Sequence, residues 1–63
     1  MKNLGNFYSG GNEYYMYGNF NNCEIRKIEY EDDYDVIYVG TYENCIKQKN
    51  KIYKDNYEYD LNL

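Results

Sequence analysis

Cys23-Glu24-Ile25-Arg26-Lys27-Ile28-Glu29-Tyr30, then Glu31-Asp32-Asp33-Tyr34-Asp35, then Val36-Ile37-Tyr38-Val39-Gly40-Thr41-Tyr42 is the stretch that decides the reading of this chain. The last run is the most β-prone in the sequence, and the first mixes apolar with charged positions. The stretch predicts one long β-hairpin from Cys23 to Ile46, bent at 31–35, with both cysteines at its far ends. With Asp33-Tyr34-Asp35 as the loop, Asp32 faces Val36, Ile28 faces Gly40, Tyr30 faces Tyr38, and Cys23 falls opposite Cys45. A loop one residue different pairs Ile28 with Val39 and moves side chains to the other face, but keeps the cysteines close. Both faces of the second arm carry apolar groups, which places it centrally in a sheet.

Outward from the hairpin, Glu13-Tyr14-Tyr15-Met16-Tyr17 is a further strand, and Gly18-Asn19-Phe20-Asn21-Asn22 is a turn of residues that tolerate positive φ. Met1 to Asn12 is rich in Gly and Asn and reads as an irregular arm, pinned by Phe7 and Tyr8. Beyond the hairpin, Lys47 to Lys51 reads as a solvated turn. Ile52 to Leu61 alternates, with Tyr53, Tyr57, Tyr59 and Leu61 on one face, and reads as an amphipathic edge strand. The expected architecture is all-β: one small domain over 1–63, a four-stranded antiparallel meander with an irregular arm at 1–12.

Gly18-Asn19-Phe20-Asn21-Asn22-Cys23 recurs as Gly40-Thr41-Tyr42-Glu43-Asn44-Cys45, a Gly-x-aromatic-x-Asn-Cys pattern with a fainter copy at Gly5-Asn6-Phe7. The spacing resembles bacterial MORN-type repeats, whose hairpins carry Tyr-x-Gly-x-aromatic. Cysteine stands where that family places glycine after the Asn. The resemblance implies five short strands, with turns at Glu43-Asn44-Cys45 and Lys54-Asp55-Asn56.

A chain of 63 residues removes little surface from water on folding. Aliphatic residues are few, so its 11 tyrosines must supply much of the buried area, each bringing a hydroxyl that wants a partner. Such a core is expected to be finished from outside, by a second copy in a homodimer or by a target protein. Ala, Pro, His and Trp are absent, and the abundance of Tyr, Asn, Lys and Ile follows AT-rich codons. The net charge of −4 argues against direct nucleic-acid binding, which needs cations to displace phosphate counterions. No apolar run approaches a membrane span. No basic-then-hydrophobic leader is visible at the N-terminus, so the expected location is the cytoplasm, with reduced thiols.

Catalytic groups are scarce: there is no histidine, one serine and one threonine, and no nucleophile stands at a recognisable spacing from a base. No cofactor is expected. Two cysteines without histidine do not complete a zinc site, and the acidic run lacks the glycine and terminal glutamate of a calcium loop. Charge, by contrast, is segregated. Glu29, Glu31, Asp32, Asp33 and Asp35 crowd the hairpin tip with Tyr34, while Lys47, Lys49, Lys51 and Lys54 crowd the next turn. In a meander these turns lie at opposite ends, and the last strand returns Tyr57, Glu58, Tyr59 and Asp60 to the acidic end. The chain is therefore expected to be a non-enzymatic binding protein. Its acidic end would engage the basic, nucleic-acid-binding surface of a host protein as a DNA mimic, with tyrosines supplying apolar contact. A short, acidic, AT-rich chain of this kind fits a phage or mobile-element inhibitor, including the anti-defence (anti-CRISPR-like) kind, acting in the cytoplasm of a bacterial host. The alternatives are a self-associating β assembly module and a single-strand nucleic-acid binder that stacks bases on Tyr53 amid its lysines.

Overall fold

The computed structural model describes residues 1–62. Four antiparallel strands form one sheet in the order β1-β2-β3-β4, with β1 at Lys2–Ser9, β2 at Asn12–Gly18, β3 at Cys23–Tyr30 and β4 at Asp33–Gly40. The expected meander is present, but two of its members differ from the sequence reading. The arm at 1–12 is not irregular: it supplies β1 and the turn into β2. Ser9 pairs with Asn12 across Gly10-Gly11, both at positive φ (61° and 79°). That is the two-residue hairpin turn whose twist matches the flanking strands, and it needs glycine or asparagine at both positions.

The second difference is the C-terminus. Neither the turn at 47–51 nor the strand at 52–61 forms, and the fifth strand implied by the repeat is absent as well. In their place stand α1 (Tyr42–Asp55) and α2 (Tyr57–Leu61). Thr41 starts α1 as an N-cap, its hydroxyl accepting from the Asn44 N–H at 3.1 Å, and Glu43 and Lys54 sit at the ends that the helix dipole favours. Asn56 ends it, its backbone and side-chain amides both donating to the Ile52 carbonyl. Tyr42, Cys45, Ile46 and Ile52 recur at helical spacing and face the sheet. The alternation at 53, 57 and 59 imitated a strand because three tyrosines happen to fall on odd positions.

The helix covers one face of the sheet. Phe7, Tyr14, Met16, Cys23, Ile25 and Cys45 form the buried core, with Leu4, Tyr38, Tyr42, Ile46 and Ile52 packed against it. Phe7 stacks on Tyr14 with centroids 4.8 Å apart and meets Tyr53 edge-on.

The β3–β4 register also departs from expectation. Cys23 pairs with Gly40 and Ile25 with Tyr38, because Asp33, Tyr34 and Asp35 join β4 and only Glu31-Asp32 turns. Irregularities leave Ile37 and Glu29 without cross-strand partners. Since no strand follows it, β4 is an edge and not a central strand. Val36, Ile37 and Val39, expected to be half to fully buried, are 47%, 41% and 66% exposed.

The cysteines are adjacent nevertheless, by another route. Cys45 reaches the sheet from α1, and its thiol lies 3.4 Å from the Cys23 carbonyl. Both are free thiols and buried. The two copies of the Gly-x-aromatic-x-Asn-Cys pattern thus pack on one another. Phe20 meets Tyr42 edge-on at 5.1 Å, and the Tyr42 N–H donates to the Phe20 carbonyl. The first copy is a turn stabilised by Asn19, whose side-chain oxygen accepts from the Asn21 and Asn22 N–H groups; the second is a strand-to-helix junction.

Candidate functional site: the acidic hairpin tip and the uncovered sheet face

The β3–β4 tip is where sequence and structure agree best on an exposed group. Glu29, Glu31, Asp32, Asp33, Tyr34 and Asp35 are all exposed. Glu29 pairs with Lys27 at 3.5 Å; the other four carboxylates make no ion pair among the described residues. A two-residue turn holds them together at the end of the sheet, where each charge is open to water.

The second predicted patch reaches the same end by a different element. In a meander the β1–β2 and β3–β4 turns lie at one end, two strand spacings or about 10 Å apart. Asp60 fixes α2 to the β1–β2 turn: its carboxylate accepts from the Ser9 hydroxyl and from the Gly10 N–H, each at 2.8 Å. Tyr57, Glu58 and Tyr59 stay exposed beside it. Asp60 is therefore first a structural link, which the sequence did not signal.

The four lysines are not gathered at the far end. Lys47, Lys49, Lys51 and Lys54 are spread along α1, so the basic side is the helix and not a pole. Lys49 lies 5.7 Å from the centre of the Phe7 ring, and Lys47 pairs with Glu43 one turn away at 3.8 Å.

Sequence reasoning missed one arrangement, on the outer face of the sheet, which no helix covers. Arg26 lies between two rings there, its guanidinium carbon 4.1 Å from the centre of Tyr17 and 4.2 Å from that of Tyr34. It also donates to the Tyr15 hydroxyl at 3.2 Å and to Glu24 at 2.8 Å. Burial lowers the Arg26 pKa, but the bonds to Tyr15 and Glu24 outweigh it and the net shift is upward. Part of the signal was available: the turn at 19–22 pairs Arg26 with Tyr15 across β2 and β3, but Tyr34 reaches it only through the β3–β4 register, which the sequence did not give away. On the same face Glu13 accepts from both Asn6 and Tyr8, and the Tyr8 bond raises that phenol's pKa.

The chain matches no family model, no curated protein and no solved structure. The likeness to MORN-type repeats accordingly stays with the short pattern that suggested it. Among the described residues no group of three or more His, Cys, Asp or Glu is placed to hold a metal ion, and no helix is long and apolar enough to cross a membrane.

Proposed function

We propose that this chain is a non-enzymatic binding protein whose acidic hairpin tip occupies a cationic groove on another protein. Where that groove serves nucleic acid, the result is inhibition by occlusion. One observation carries the reading: four carboxylates of the tip, at Glu31, Asp32, Asp33 and Asp35, are exposed and lack ion-pair partners among the described residues. Carboxylates are met by the same Arg and Lys donors that meet phosphate, and a concentrated negative tip speeds encounter with such a surface. Tyr34 adds a ring at the base of the tip. Inhibition of a host defence or nucleic-acid enzyme by a mobile-element product is the setting this chemistry suits.

The test is capture from bacterial lysate on the immobilised chain, followed by competition with DNA for the captured protein. The wild-type chain should displace DNA, and added salt should weaken that effect. The Asp32→Lys, Asp33→Lys, Asp35→Lys triple variant should lose binding while keeping its native circular dichroism. Unchanged affinity of the triple variant would refute the tip as the contact.

A further inference from the structure

The uncovered face of the sheet has a chemistry different from that of the tip, and it asks for a different partner. Its rings and aliphatic groups include Tyr15, Tyr17, Tyr34, Ile28, Val36 and Val39, the last two well exposed on β4. Aromatic residues and arginine are the types enriched at the centres of protein interfaces. The charges on this face are few and mostly held within it. Arg26 is paired with Glu24, and Glu13 accepts from Asn6 and Tyr8, although the Arg26 Nε makes no hydrogen bond and Glu13 has no cationic partner among the described residues. A strongly charged partner would find little there to pair with. A ring-rich face of the same kind is its complement.

We propose that this face is the contact between two copies of the chain, packed sheet on sheet about a two-fold axis. Charge supports that arrangement. Each chain carries a net charge of −4, concentrated towards the tip, and an antiparallel stacking sets each tip over the neutral Asn19-Phe20-Asn21-Asn22 end of the other. Area supports it too. Strands of seven or eight residues, four abreast, span about 25 Å by 19 Å, or roughly 500 Å² on each copy. Two such faces bury about 1,000 Å², the lower limit for a specific interface, so the dimer is a weak one. The core needs the added burial: six buried apolar residues are few for a chain of this length.

Sedimentation of the full chain from about 1 µM to about 1 mM tests this. The sedimenting mass should rise from 7.7 kDa to twice that value. Added salt should modestly strengthen the association by screening the repulsion between two chains that each carry a net charge of −4, the reverse of its effect on tip docking. Val36→Lys with Val39→Lys should weaken the dimer at least tenfold. Because both positions are exposed, the variant should keep its native circular dichroism. Val39→Glu alone, together with intermolecular NMR contacts in a mixture of labelled and unlabelled wild-type chains, serves should the double variant not fold. The tip triple variant should still dimerise, which separates this inference from the proposed function. A monomer at every concentration, open-ended growth, or a dimer indifferent to the β4 substitutions overturns the proposal. Slowed hydrogen exchange confined to the β4 backbone also overturns it, since that would mark edge-to-edge strand pairing.

Discussion

Replacing Asp60 with alanine should unfasten α2 from the sheet. A helix of five residues has no stability of its own, because nucleation is unfavourable and too few bonds follow it. α2 is instead held by the two bonds from Ser9 and Gly10 to the Asp60 carboxylate. Hydrogen bonds to a charged group contribute about 1.5–3 kcal/mol each when buried. Asp60 is half-buried, so the low end applies, and water can replace it at Gly10 in the turn. Ser9 is different: it is 2% exposed, and its hydroxyl would be left without an acceptor. The sum expected is about 2 kcal/mol, which lowers the melting temperature of a domain this small by about 8–16 °C. Asp60→Asn keeps one acceptor and should lose about half as much. Ser9→Ala should cost about 1 kcal/mol, and the Ser9/Asp60 double-mutant cycle should show a coupling of similar size. Urea and thermal denaturation followed by circular dichroism measure all four. An Asp60→Ala variant within about 0.5 kcal/mol of wild type would show that the clasp carries no weight.

Two further outcomes are expected. Burial, reinforced by a hydrogen bond with Cys23, pushes the Cys45 thiol from its ordinary value near 9 up to about 12. Its contribution to stability is therefore complete below about pH 9 and is lost as pH rises towards 12; stability of wild type relative to Cys45→Val should fall over that window, and native Cys45 should resist alkylation at pH 8 until urea is added. Gly18→Ala should destabilise by 2 kcal/mol or more on an order-of-magnitude scale, read by urea titration, because φ there is 136° and an added methyl would collide with the Asn22 backbone carbonyl.

The parts of the fold that could be read from sequence are those whose signal is local. β3 at Cys23–Tyr30 follows from its β-branched content and the turns on either side, and β2 from a run of rings bounded by Gly18. The N-terminal hairpin was equally local, in Gly10-Gly11, but the asparagines around it looked like a loop. α1 was obscured because its sheet-facing side is assembled from a tyrosine, a cysteine and two isoleucines, with no alanine or leucine between. The register of β3 on β4 depended on where an acidic loop stops, and carboxylates can lie in a turn or at an exposed edge at similar cost. The exposed tip needed only charge and was legible. The arginine held between Tyr17 and Tyr34 needed three strands in register and was not.

The order in which the strands pair has a consequence for folding. Each strand pairs with the one before it in sequence, so every pairing in the sheet is short-range, the arrangement that favours fast folding. The residues that roof its inner side, Cys45, Ile46 and Ile52, come instead from α1. Whenever α1 lifts away, Phe7, Tyr14, Met16 and Ile25 face water on an otherwise intact sheet. That opened form exposes apolar surface of the kind that aggregates, and the acidic Glu31–Asp35 segment gives each such chain a charge that repels its neighbours.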